Sequence, residues 1–187
     1  MPPRSRTRAR TVATLATAAA LALTGCAGGG DGTPSASPTP AGTPVSQRCA
    51  ELLPADALSV YGQTFALDDA FTPAEGSPAA TIADQRGRVC RYVSTDATTV
   101  TVAVAHLPEK SLTHLKDALY ERGGSVPTYD VEGYFALDGE QGRADAFADP
   151  YWITAESTLF TEPGGAQPVV DAVRAAVQPT ASATPTS

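Results

Sequence analysis

The hydrophobic and polar positions between residues 47 and 178 follow strand spacing in some segments and helix spacing in others. In 99–107, three valines recur at every second residue, which predicts a strand with one buried face. In 109–122, three leucines recur at intervals of three and four residues before a Gly-Gly pair, which predicts an amphipathic helix that ends there. The chain therefore combines both kinds of element.

The other segments complete this pattern. Asp138-Gly139 stands between two apolar runs and predicts a tight hairpin. Further strands are predicted at 63–67, 88–94, 127–137, 143–148 and 151–159, further helices at 49–53, 54–61 and 166–177, and a loop at 68–84. Strands joined mostly by hairpins predict an α+β fold: a single domain with a mostly antiparallel sheet of five to six strands, packed with two to three helices.

The first 25 residues have the order of parts of a secretory signal. Four arginines precede an apolar run at 11–23, which is too short for the roughly 20 residues of a membrane-spanning helix. The run ends in Leu-Thr-Gly-Cys at 23–26, which resembles the lipobox of bacterial lipoproteins. That resemblance implies cleavage before Cys26 and attachment of a diacylglyceryl group to its sulfur. The alternative is a secreted protein with a chance cysteine near its cleavage site.

The rest of the chain divides by composition. Residues 26–46 contain the predicted lipidated cysteine and a tether of glycine, proline, serine and threonine, which has too little apolar surface to fold. Residues 47–178 form the predicted globular domain, and 179–187 read as a disordered tail. This layout resembles small actinobacterial cell-envelope lipoproteins of unknown function. The resemblance implies a lipid-anchored location on the extracytoplasmic side of the cell membrane and indicates no activity.

The charge of the mature chain argues against one class of partner. Removal of the signal takes four of the 13 basic residues and none of the 20 acidic ones, so 9 basic residues face 20 acidic ones at a net charge of −11. Such a chain repels nucleic acid, and we expect its hold on the membrane to come from the acyl chains.

The chain has three cysteines. With Cys26 lipidated, Cys49 and Cys90 remain, and export would place them in an oxidising compartment. We therefore predict a disulfide between them. Two buried free thiols are the alternative.

The sequence contains no recognisable catalytic constellation. It lacks a glycine-rich phosphate loop, a Gly-x-Ser-x-Gly elbow and a His-Glu-x-x-His pair. His106 and His114 would need a third metal ligand that the sequence does not place. The prediction is therefore no catalytic set, no metal site and no cofactor.

Two residue sets are candidates for binding. Tyr134, Tyr151 and Trp152 concentrate aromatic rings in the C-terminal strands and would form a binding face if exposed, or part of the core if not. Arg86, Arg88 and Arg91 form a basic cluster for an anionic ligand, or else solvated strand ends.

These observations favour a non-catalytic binding or accessory module for an envelope protein or ligand. A lipid or glycolipid carrier and an enzyme without a recognisable motif remain the alternatives.

Overall fold

The computed structural model describes residues 42–178, which form one seven-stranded antiparallel sheet with helices on both faces. The strand order is β1-β2-β3-β7-β6-β5-β4. The strands are β1 (Phe65–Leu67), β2 (Arg88–Ser94), β3 (Thr99–His106), β4 (Ser125–Val126), β5 (Glu132–Asp138), β6 (Gln141–Ala148) and β7 (Tyr151–Ser157). The helices are α1 (Cys49–Leu52), a 3₁₀ helix (Ala55–Tyr61), α2 (Pro78–Asp84), α3 (Glu109–Arg122) and α4 (Pro163–Val177). The predicted α+β class is confirmed.

The predicted hairpin at Asp138-Gly139 joins β5 to β6. Asp138 pairs with Gln141, and Gly139 adopts φ +59°, a left-handed conformation that glycine takes without steric cost. The sheet has one strand more than the five to six predicted, because β4 is a two-residue pairing of Ser125 and Val126 with β5. So short a pairing has no alternation pattern of its own.

One face of the sheet, here called the α4 face, packs on α1, the 3₁₀ helix and α4. The three valines of β3 point into this core together with the alanines of β6 and the valines of α4. The predicted disulfide is present: Cys49 of α1 is bonded to Cys90 of β2, with a Cα–Cα distance of 5.5 Å. The hydroxyl of Tyr92 donates to the carbonyls of Cys49 (2.8 Å) and Leu53 (3.0 Å). The first helix is thus held to the sheet twice.

The opposite face, here called the α3 face, packs on α2 and α3. Helix α2 corrects a prediction, because the sequence analysis assigned residues 68–84 entirely to a loop. Pro78 stands in the first turn of α2, where its missing N–H costs nothing, and the Ser77 side chain accepts from the Ala80 N–H. Pro78 is therefore the first residue of a seven-residue helix and not part of a loop. Ile82 of α2 is completely buried.

The domain extends further toward the N-terminus than the predicted start at residue 47. The Thr43 N–H donates to the carbonyl of His106 (2.9 Å), and Val45 is buried in the α4 core. The last residues of the predicted tether are therefore part of the packed domain. Cys26, the predicted signal at 1–25 and the predicted tail at 179–187 lie outside the described residues. Between residues 42 and 178, no helix has the length and apolarity needed to cross a membrane.

Candidate functional site: a charged cleft on the α3 face

The three aromatic residues predicted to form a binding face do not form one. Tyr134 and Trp152 are each only 4% exposed and belong to the core of the α3 face. Tyr151 precedes Trp152 in β7, so its side chain points to the opposite face, where it is half-buried. Helices α2 and α3 cover the surface that these rings would otherwise present, so the core alternative holds for Tyr134 and Trp152.

The three arginines of the predicted basic cluster also separate. Arg88 points to the α4 side and donates to the carbonyls of Gln47 (3.0 Å) and Val45 (3.5 Å). Arg91 points to the α3 face, with its guanidinium carbon 4.8 Å from the ring centre of Phe71. Arg86 is exposed in the turn after α2. These side chains do not converge on one ligand.

A cleft on the α3 face brings together a different charged set. Two adjoining hollows, of about 230 and 260 Å³, share the side chains of Leu119, Arg122, Arg143 and Asp145. Tyr134 and Ala136 also line the first, and Pro78, Leu115 and Trp152 also line the second. We call this place the Arg143 cleft.

The register of the strands explains why charges meet there. Arg143 of β6 pairs with Glu156 of β7, and Glu156 pairs with Thr101 of β3. Antiparallel partners point to the same face, with Cβ atoms about 5 Å apart, so these side chains form one row across the sheet. A second row, one step further beneath the helices, contains Asp145 beside Thr154.

Asp145 is the buried anion of the cleft, with 2% of its side chain exposed. Its Oδ2 accepts from Arg143 Nε over 2.8 Å, and its Oδ1 accepts from Trp152 Nε1 over 3.0 Å. Burial raises the pKa of the Asp145 carboxyl, and the charge of Arg143 and the two hydrogen bonds act against that rise. Both carboxylate oxygens are therefore engaged in positioning Arg143 and Trp152.

Arg143 and Arg122 are the cations of the cleft. Arg143 is 26% exposed and uses its Nε for Asp145, which leaves both Nη atoms without a hydrogen-bond partner within residues 42–178. Arg122 is exposed in the last turn of α3, and no carboxylate of the described residues lies within 4 Å of its guanidinium. Guanidinium N–H groups placed in this way are donors for a carboxylate or phosphate.

Glu156 is the second anion, half-buried on the outer side of Arg143. A third hollow, of about 280 Å³, lies there and is lined by Arg143, Glu156 and Asp138. Burial raises the pKa of Glu156, and the charge of neighbouring Arg143 only partly offsets that rise. Although the two residues are cross-strand partners, their charged atoms form no ion pair within 4 Å, because Arg143 turns along β6 toward Asp145.

The two histidines lie away from this cleft. The ring of His106 lies 5.0 Å from the ring of Tyr151, and His114 is exposed on α3. Within residues 42–178, no group of three histidine, cysteine or acidic side chains is arranged to hold a metal ion.

Arg122, Arg143, Asp145 and Glu156 were not among the residues predicted from the sequence. One local signal was present, since Arg143 and Asp145 alternate with alanines inside a strand and must share one face. Burying a charged pair beneath helices costs free energy. Such a pair therefore indicates a specific role. No match to this chain is found among protein-family models, curated proteins or solved structures, so the cleft is interpreted from its own geometry.

Proposed function

We propose that this protein is a lipid-anchored binding module on the extracytoplasmic side of the cell membrane, and that its ligand site is the Arg143 cleft. One observation carries the proposal: two arginines face the cleft with guanidinium N–H groups that have no partner among residues 42–178, on a chain that is otherwise acidic. Donors positioned by a buried carboxylate are ready to bind an anionic group at little ordering cost.

The geometry favours binding over turnover. Both oxygens of Asp145 are engaged, and among the described residues Glu156 is the half-buried carboxylate beside Arg143 that forms no ion pair, whereas Asp138 in the same outer hollow is exposed. Acid–base or nucleophilic catalysis needs a reactive group positioned by a second group, and Glu156 accepts no hydrogen bond from a side chain in residues 42–178. The three hollows at Arg143 are also small. Their volumes lie below about 300 Å³, the lower end of the range for ligand pockets, which suits a small molecule.

The anchor rests on the sequence. The Leu-Thr-Gly-Cys motif at 23–26 and the tether behind it support lipidation of Cys26, and the Cys49–Cys90 disulfide is compatible with an oxidising compartment. Metabolic labelling with palmitate is expected to mark the wild-type protein and to leave Cys26→Ser unlabelled. Equal labelling of both proteins would refute the anchor.

The binding site is tested with the full-length protein purified in detergent. Trp152 is the only tryptophan of the chain and lines the cleft, so its fluorescence reports on ligands there. A panel of small carboxylates, phosphates and amino acids is titrated against the wild type, Arg122→Gln and the control Arg48→Gln. Arg48 is an exposed arginine at the N-cap of α1, the helix packed on the opposite face.

We expect at least one anionic compound to change the fluorescence, and we expect Arg122→Gln to weaken that binding while Arg48→Gln does not. Equal weakening by both variants would indicate a general charge effect and contradict the proposed site. A panel without any binder would contradict it as well.

A further inference from the structure

The Arg143 cleft and the third hollow beside it together have a positive end and a negative end. Arg122 stands with Arg143 over the two inner hollows, whereas Glu156 and Asp138 line the outer hollow on the far side of Arg143. Because Arg143 borders all three hollows, a ligand on its Nη atoms lies between Arg122 and Glu156. Such a ligand meets charges of both signs within a short distance.

The unpaired groups differ in sign. Arg143 and Asp145 balance each other through their 2.8 Å contact. Arg122 on one side and Glu156 on the other have no oppositely charged partner within 4 Å among residues 42–178. A ligand with only an anionic group would satisfy Arg122 and stand beside an unpaired carboxylate. A doubly charged phosphate would be repelled by both Glu156 and Asp145.

We infer that the cleft binds a small zwitterion of the amino-acid class, with its carboxylate on Arg122 and Arg143 and its ammonium on Glu156. This inference rests on the proposed function and names the ligand of the same site. Arg143 and Glu156 are cross-strand partners whose charged atoms form no ion pair within 4 Å, so a ligand that carries a carboxylate and an ammonium a few atoms apart can bridge them. An α-amino acid carries both on one carbon.

The floor of the cleft indicates what else the ligand carries. Leu119, Tyr134 and Ala136 line the first hollow, which presents more apolar than polar surface beside the arginines. A side chain placed there is removed from water, which favours an aliphatic group over a polar one. The first hollow, of about 230 Å³, has room for a side chain of leucine size.

The test compares leucine with two analogues that each lack one of its charged groups, here called its two halves. Each enantiomer of leucine is titrated against the full-length protein in detergent, beside 4-methylpentanoate, which lacks the amino group, and 3-methylbutylamine, which lacks the carboxylate. Trp152 fluorescence and titration calorimetry give the affinities. We expect one leucine enantiomer to bind at least about tenfold more tightly than either half, because each half leaves one charged group of the cleft unpaired.

Two variants identify the contacts. Glu156→Gln is expected to weaken leucine binding and to tighten 4-methylpentanoate binding, because the variant removes both the partner of the ammonium and the charge that repels a lone carboxylate, so that the two ligands bind about equally. Arg122→Gln is expected to weaken both by about tenfold or more. Arg122 is exposed and Glu156 half-buried, and circular dichroism verifies that each variant folds.

The outcomes separate this inference from the proposed function. If 4-methylpentanoate or inorganic phosphate binds as tightly as leucine, or Glu156→Gln binds leucine normally, the zwitterion inference is overturned while the cleft remains an anion site. If leucine does not bind at all, the inference is also wrong, and the wider panel then decides whether the cleft binds anything.

Discussion

Trp152 donates its indole N–H to the carboxylate of Asp145 across two neighbouring strands, over 3.0 Å. Trp152 pairs in register with Phe147 and Asp145 pairs with Thr154, so the bond runs diagonally between adjacent rows of the α3 face. It links the apolar core beneath the helices to the buried carboxylate of the cleft. The buried carboxylate in turn holds Arg143.

This bond is expected to contribute to stability as well as to position. Trp152→Phe removes the donor from a buried carboxylate, and we expect a loss of about 1.5–3 kcal/mol in the free energy of unfolding from the bond alone. Lost volume adds to the loss, so a double-mutant cycle with Asp145→Ala, which removes the acceptor, isolates the interaction. Urea unfolding followed by circular dichroism gives all four stabilities. A coupling energy near zero would contradict a stabilising bond.

Glu156 makes stability depend on pH in a predictable direction. Its folded-state pKa is raised above the usual value of a glutamate carboxyl because burial penalises the charged form. A raised pKa means that the protonated carboxyl is favoured in the fold. The stabilising contribution is therefore complete below the unfolded-state pKa and is lost as the pH rises through the folded-state pKa.

The matched variant Glu156→Gln has no such titration. Relative to wild type, we expect this variant to become more stable as the pH rises from about 3.5 to about 7.5. Urea unfolding of both proteins at several pH values across that range measures the difference. A stability difference that stays constant with pH, or moves the other way, would show that burial does not control this group.

The Cys49–Cys90 disulfide is expected to be a major stabiliser. It closes a loop with a sequence separation of 41, and restriction of the unfolded chain contributes about 4 kcal/mol in the entropy model. Cys49→Ala/Cys90→Ala should lose most of that stability, and so should the reduced wild type. Thiol labelling of the denatured, unreduced protein verifies the bond, since two reactive thiols from this pair would mean that it is absent.

Gly142 is expected to tolerate no side chain. A Cβ built there would collide with the backbone carbonyl oxygen of Phe160, which cannot move like a flexible side chain. We expect Gly142→Ala to lower the free energy of unfolding by about 1–3 kcal/mol or more. The control is Gly164→Ala in α4, whose nearest neighbour is the flexible Glu162 carboxylate at 3.9 Å. Its stability should stay within about 0.5 kcal/mol of wild type, and similar losses at both positions would reject the steric explanation.

The sequence by itself was sufficient for those elements whose signal is local. The alternating valines of β3, the Asp138-Gly139 turn and the leucine stripe of α3 each specify their element within a few residues. The pairing of Cys49 with Cys90 also followed, since one predicted modification left only two cysteines. Helix α2 was missed because seven residues are too few for a clear period, and because its first residue is a proline that also occurs in loops.

Only the tertiary structure decided where the charges meet. Glu156 stands beside Arg143 through the pairing of β6 with β7, and α3 crosses the sheet so that Tyr134 and Trp152 are buried while Arg122 reaches the cleft. In the sequence, Arg122 and Glu156 are far apart, and nothing near either residue indicates the other. Alternation along a strand follows from the geometry of each residue, whereas register and the choice of the covered face depend on packing between distant segments.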